Sequence, residues 1–342
     1  MLTGTQNISK TFFMNRNNVF IYFISLIVVM IITAKGFGQN ITKSYQSHDT
    51  VNPQLVEPGI VSTGENEMGF TMSPDGNTAL WCIGGAKWFN TIVLSHKING
   101  HWTKPIVASF SGKYSDADPV FSPDGEYIYF MSKRPVSGEK PKNDWDLWVV
   151  KMINGQFGKP QNLGKNINTN HNESHASITN SGMLYFSSDR PSGSGGSDIY
   201  ISVMKNGKFT KAMPIKGPVN TKNTEADPGI SPNGKYLVFM GFGYKNGYGR
   251  SDLYISVKKN GIWAKPQNLG KAINSSDSDF SPYFSSDNRW FYFTSMKNYS
   301  DKPQVNKHQI TYSELKHRLD NPGNGFGDVY KVSTAFLLNQ MN

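Results

Sequence analysis

DADPVFSPDGEYIYFMS, residues Asp116–Ser132, places two runs of alternating apolar residues on either side of a Ser-Pro-Asp-Gly turn. Proline presets φ for an early turn position, and glycine accepts the positive φ of a later one. The stretch therefore reads as strand, tight turn, strand. Versions of the turn recur at Ser73-Pro74-Asp75-Gly76, Thr179-Asn180-Ser181-Gly182, Ser231-Pro232-Asn233-Gly234 and Ser285-Ser286-Asp287-Asn288, so that the five starts lie 49 to 57 residues apart.

Each turn leads into an apolar run: TALWCI, YIYFMS, MLYFSS, YLVFMG and WFYFTS. A further strand follows, introduced by Asp146, Asp198, Asp252 or Asp328, with Asn90 at this place in the first unit. Four units then carry Asn-Gly, at Asn99-Gly100, Asn154-Gly155, Asn206-Gly207 and Asn260-Gly261, followed by an aromatic residue and a lysine. Asn-Gly is the strongest short-range hairpin signal, because both residues tolerate positive φ. One unit is thus four antiparallel strands, and repetition at this period describes propeller blades. The expectation is an all-β, five-bladed β-propeller, with repeats starting near 65, 114, 171, 223 and 277; six blades is the less favoured count.

The ends fit a closed ring. The fifth unit stops after Asp328-Val329-Tyr330-Lys331-Val332 without its last hairpin, and Asn52-Pro53-Gln54-Leu55-Val56 matches the outer-strand segments Lys159–Leu163 and Lys265–Leu269. The N-terminal segment is expected to complete the last blade, which removes both sheet edges. This places one domain at 52–334, with a tail at 335–342.

Residues 1–38 are of different material. Val19–Thr33 is a 15-residue apolar run preceded by Arg16 and followed by Ala34-Lys35-Gly36-Phe37-Gly38. A basic start, an apolar centre and small residues at the end are the marks of a secretory signal peptide, and the run is shorter than the ~20 residues of a spanning helix. We therefore expect cleavage after Gly38, a linker at 39–51, no membrane span after cleavage, and a periplasmic or secreted monomer. Of the chain's net +10, residues 1–38 contribute three cations and no acid, which leaves +7 spread without a basic block. That argues against nucleic acid as a partner and allows weak attraction to anionic envelope polymers. Cys82 is the sole cysteine, so no disulfide forms within the chain, and its apolar surroundings suggest a buried thiol.

The blocks DADPVFSPDGEYIYFMSKRP, SSDRPSGSGGSDIYIS and EADPGISPNGKYLVFM resemble the WD40-like (PD40) β-propeller repeats of the TolB type. The SSDRPSGSGGSDIYIS variety is similar to propellers that accompany OmpA-like envelope proteins of Bacteroidetes-type bacteria. The resemblance covers nearly all of the chain after residue 38. It implies a propeller with a binding role in the cell envelope. TolB propellers have six blades, and the OmpA-like module and the TolB N-terminal domain have no counterpart in this sequence.

Six residues before each turn stands a carboxylate: Glu67, Asp116, Glu173, Glu225 and Asp279. Four residues before stand Gly69, Asp118, His175, Asp227 and Ser281. Strand periodicity puts these two sets on one face, at the mouth of the central channel. Arg134 and Arg190 belong to loops on the same side, as do the loop-closing acids Asp146, Asp198, Asp252 and Asp328. Structural ties to backbone N–H groups or to the arginines explain most of this pattern. Oxygen ligation of a cation such as calcium is the alternative use, and no other cofactor is expected. A glycosidase would need one acid and one base or nucleophile about 5–10 Å apart, which these carboxylates can supply only if the repeat is broken. His175 reads as a hydrogen-bonded structural histidine. No G-x-S-x-G or H-E-x-x-H motif occurs, and Gly193-Ser194-Gly195-Gly196 lacks the lysine of a phosphate loop.

One loop breaks the repeat. Lys297–Gly327 is about thirty residues long, carries Lys297, Lys302, Lys307, Lys316 and Arg318, and contains a helical stretch, Tyr312–Leu319, capped by Thr311. Trp88, Phe89, Phe242, Tyr244 and Tyr248 mark the equivalent loops of blades one and four. The functional expectation is a non-catalytic scaffold that binds a protein, peptide or envelope polymer through this face. A glycan-active or glycan-binding propeller is the alternative.

Overall fold

The computed structural model describes residues 52–153, 155–297 and 309–339. The signal peptide and linker expected over 1–51 lie outside the described residues, as do Lys302 and Lys307. The protein is a β-propeller of five four-stranded antiparallel blades. The innermost strands are Glu67–Met72, Asp116–Phe121, Glu173–Ile178, Thr224–Ile230 and Asp279–Phe284. The second strands are Thr78–Gly84, Tyr127–Ser132, Met183–Ser188, Tyr236–Phe242 and Trp290–Ser295, and the third are Asn90–Ile98, Asp146–Ile153, Asp198–Lys205, Ser251–Lys259 and Asp328–Ser333. In blades 1 to 4 the outer strand is split into two short pieces that pair with the third strand, such as Gln156–Phe157 and Gln161–Asn162 in blade 2. In blade 5 that place is taken by Gln54–Leu55, which pairs with Lys331 and Tyr330 and closes the ring.

The local chemistry explains the turns. Ser122 Oγ accepts the Tyr127 N–H and donates to Asp124, while Gly125 N–H returns to Ser122 O. The same set joins Ser73 to Asp75 and Thr78, and Ser231 to Asn233 and Tyr236. In blade 5 the glycine is replaced by Asn288 at φ 56°, a conformation asparagine tolerates better than most residues. The hairpins at Asn99-Gly100, Asn206-Gly207 and Asn260-Gly261 have positive φ at both residues, as a type I′ turn requires.

The core lies between blades. Trp81, Phe130, Phe186, Phe239 and Phe293, at equivalent places on the second strands, are all buried. Each belongs to an apolar cluster shared with a neighbouring blade; Leu80, Phe110, Phe121 and Phe130, for example, join blades 1 and 2. Cys82 is buried with its thiol against Met68 O. The long fifth-blade loop contains helix α1, Tyr312–Leu319, where Thr311 and Glu314 form a reciprocal capping box. After the last strand, helix α2, Thr334–Asn339, buries Leu337 against blade 5. No helix among the described residues is long and apolar enough to cross a membrane.

Deleting residues 52–56 exposes the edge of Asp328–Ser333 and removes buried Val56. We expect a lower Tm and concentration-dependent association in size-exclusion chromatography. An unchanged Tm and elution volume would mean that closure by this strand is dispensable.

Candidate functional site

Every innermost strand carries a β-bulge at the same place. In blade 2, Ala117 pairs with Met131 and Val120 with Tyr129, so that Asp118 and Pro119 together oppose one residue. The register shifts identically in the other four blades. The first bulge residue is left-handed in all five: Gly69 at φ 64°, Asp118 at 47°, His175 at 47°, Asp227 at 50° and Ser281 at 47°. A bulge interrupts the period-two alternation. The two sets of residues expected on one face are therefore separated, and this corrects the reading from periodicity.

The first set, Glu67, Asp116, Glu173, Glu225 and Asp279, is buried and committed to the fold. Asp116 accepts from Ser111 Oγ at 2.8 Å, from Ser132 Oγ, and from Arg134 Nη2 at 2.7 Å. Glu173 accepts from the Thr169 N–H and hydroxyl, both at 2.7 Å, from Ser188 Oγ at 2.9 Å and from Arg190 Nη2 at 3.0 Å. In blade 4 the Tyr244 hydroxyl replaces the arginine, 2.7 Å from Glu225, and Thr221 supplies the other donors. Thr63 does the same for Glu67, and the Ser275 N–H reaches Asp279 at 2.6 Å. Arg134 and Arg190 are therefore interior ties: their guanidiniums also donate to Phe110 O and Ile167 O.

A further set of residues, without a signal in the strand pattern, joins these acids to the preceding blade. Asn168, Asn220 and Asn274 make paired hydrogen bonds with the backbone of Leu147, Ile199 and Leu253 on third strands. Each precedes the hydroxyl residue that caps the next acid: Thr169, Thr221 or Ser275. Ser62 plays the part of the asparagine at the closing junction, bonded to Val329. The motif Asn-(Thr/Ser)-x-x-x-(Glu/Asp) is present in the sequence and marks these staples.

The loop-closing acids are structural too. Asp198 accepts from the Ser194 and Gly195 N–H groups, and Asp252 from those of Tyr248 and Gly249. Asp328 accepts from the Gly323 N–H, and Asp146 pairs with Lys142 and Asn162.

The two ends of the central channel differ in width. On the Ser-Pro-Asp-Gly side, Pro74, Pro123, Asn180, Pro232 and Ser286 crowd a space of about 30 Å³. On the loop side lies a funnel of about 690 Å³. Its wall includes Met68, Ala226 and Phe280, one residue before the bulge, with Met131 from a second strand and Lys133, Trp145, Asn172 and Asp189 from the loops. Lys133 stands 5.1 Å over the Trp145 ring, and Asn172 is held by two hydrogen bonds to Asp189. Tyr244 is turned inward to its acid, whereas Phe89, Phe242 and Tyr248 are exposed.

At the base of the funnel the bulges bring Asp118, His175 and Asp227 together, with their ligating atoms all within 4.8 Å of one another. His175 Nδ1 lies 3.3 Å from Asp118 Oδ2 and 4.0 Å from Asp227 Oδ1. Burial disfavours the imidazolium, but Asp227 and Asp118 outweigh it and lift His175 to about 9. Burial also raises Asp227, with His175 opposing. Gly69 is required beside them, because a Cβ there would stand 2.5 Å from Asp118 Oδ1.

The chain matches no known family and no curated protein. Among solved structures it is similar to an alpha-L-arabinofuranosidase from Lactobacillus brevis, at 12% identity and a TM-score of 0.50, covering 80% of this chain and 92% of that one. TolB from Acinetobacter baumannii is similar at 16% identity and a TM-score of 0.46, covering 79% of this chain. The chain spans 55% of the length of that TolB. A puromycin-hydrolyzing peptidase from Mycobacterium tuberculosis is similar at 14% identity and a TM-score of 0.39, covering 67% of this chain and 34% of the peptidase. At these identities the likeness is one of fold.

Two predictions concern the acid ties. Arg134→Met leaves Asp116 buried without its cation and should cost about 3–5 kcal/mol in urea denaturation. Asp116→Asn/Arg134→Met should recover part of that loss, and a single variant as stable as wild type would mean the pair is idle. Burial also pushes Glu67 up to about 7, against its bonds from Thr63, and Asp279 up to about 6, against Ser295 and Ser275. The folded chain then holds more protons than the unfolded chain between the ordinary carboxylate range and these values. Stability should fall as pH rises through that window. Tm measured from about pH 5 to about pH 8 should show this decline, and Glu67→Gln should flatten it; a slope unaltered in the variant would contradict the assignment.

Proposed function

We propose that this protein is an exported, non-catalytic propeller that binds a polypeptide segment of a partner in its funnel. The observation that carries this reading is the funnel wall. Met68, Met131, Ala226 and Phe280 offer adaptable apolar contact, and Trp145 adds a large anchor surface. Methionine and aromatic residues suit a pocket for apolar side chains of a peptide. Lys133, Asn172 and Asp189 at the rim supply polar groups that fix orientation.

The state of the carboxylates supports binding over catalysis. The five acids of the repeat are engaged by hydroxyls, backbone N–H groups and, in two blades, arginine. Asp118 and Asp227 face a shared histidine and are held by Ser281, and neither stands free in the funnel. Export rests on the apolar run Val19–Thr33 and its flanks.

Selection of a random peptide library on the full chain tests this. Enriched peptides should carry an apolar or aromatic anchor. Their affinity should fall about tenfold or more with Phe280→Asp or Met131→Asp, and should hold with Asn233→Ala on the opposite end. Equal loss in all three variants, or binding and cleavage of oligosaccharides in a parallel screen, would overturn the reading.

A further inference from the structure

The base of the funnel is built differently from its wall. Three neighbouring blades each place one metal-ligating residue at the same left-handed bulge position: Asp118, His175 and Asp227. A non-glycine residue in this conformation is strained. In blades 1 and 5 the position is held by Gly69 and Ser281, which lack such a side chain. Ser281 instead orients its neighbours. Its N–H donates to Asp227 Oδ2 at 3.2 Å, and its hydroxyl stands 3.4 Å from Asp118 Oδ1. One oxygen of each carboxylate is thereby held, and the other faces His175 Nδ1, at 3.3 and 4.0 Å.

His175 itself is 6% exposed, and its Nδ1 has no hydrogen-bond partner. A metal ion binding here displaces the proton that His175 holds between the two carboxylates, and the neutral ring then presents its Nδ1 lone pair to the ion. A buried nitrogen that makes no well-formed hydrogen bond and stands between two anchored carboxylates is a position where a cation would take the place of the shared proton.

We infer that Asp118, His175 and Asp227 form a binding site for a single divalent transition-metal ion of the zinc or manganese class. Bonds of about 2.0–2.2 Å to nitrogen and oxygen place adjacent ligands roughly 3.0–3.5 Å apart, so the side chains need to draw in by less than about 1 Å. One imidazole with two carboxylates is a mixed N/O set. Calcium takes 6–8 oxygens, and this histidine makes it the poorer fit. The sequence offers calcium only as an alternative to structural ties; the residues gathered here suit a borderline metal, held by the bulge residues rather than by the ring of buried acids. The funnel above leaves the ion reachable from solvent. This site is independent of whether the funnel receives a polypeptide.

Isothermal titration of EDTA-treated full chain with zinc chloride, manganese chloride and calcium chloride, each alone, is the test. One equivalent of zinc or manganese should bind with a dissociation constant of about 1 μM or below, and cobalt(II) should develop visible absorption bands distinct from those of the aqua ion. His175→Gln and Asp227→Asn should each weaken binding by about 100-fold or more, with circular dichroism reporting the fold. Should either variant fail to fold, Ser281→Ala should weaken binding about 10–100-fold through lost orientation. No saturable heat with zinc or manganese, preference for calcium, an aqua-ion cobalt spectrum, or the same affinity in His175→Gln or Ser281→Ala would overturn the proposal. In the first case the buried histidine is simply the imidazolium partner of its two carboxylates.

Discussion

The buried carboxylate on each innermost strand is the interaction on which the ring depends. A propeller closes only if every blade meets its neighbour at a fixed angle, and apolar packing alone has no direction. Ionised carboxylates are costly to bury, and they become structural when several donors converge on them. Here the donors come from the linker that enters the blade, through Thr63, Ser111, Thr169, Thr221 and Ser275. In three of the junctions an adjoining asparagine grips the third strand of the blade before. Each acid is thus one end of a short polar chain that runs from blade to blade. One further donor varies among Arg134, Arg190 and Tyr244, because all that is required is a proton pointing inward.

With the ring held by these ties, the bulge that follows them is free to serve another purpose. It turns the next side chain toward the axis in every blade. The backbone is nearly five-fold symmetric at this point, while the side chains are Gly69, Asp118, His175, Asp227 and Ser281. At this position the blades present different side chains to one another. They produce a charged base under a wall of methionine and aromatic residues. The prolines and polar residues of the opposite turns narrow the other end to a space of about 30 Å³.

Much of the architecture is legible in the sequence. The Ser-Pro-Asp-Gly and Asn-Gly turns carry their φ requirements in their composition, and the helix Tyr312–Leu319 announces itself through Thr311 and Glu314. The segment around Gln54–Leu55 betrays its place by matching the outer strands of blades 2 and 4. The site was less legible. Simple alternation placed Asp116 and Asp118 on one face, and one extra residue in the ladder separates them. Trp145, Met131 and Phe280 meet at the funnel from two different blades, and no spacing in the chain marks that meeting.

The sequence by itself determined the blade, the number of blades and the way the ring closes. Those features rest on local φ preferences, on alternation within one strand and on repetition, all of which act over a few residues. Only the tertiary structure decided which acids are spent on holding the blades and which residues share the axis. The 116 and 118 positions differ by two residues in the chain, yet one is sealed among Ser111, Ser132 and Arg134 and the other looks across the channel at His175, 57 positions away. The bulge and the closure of the ring make that distinction, and both are properties of strands paired with one another.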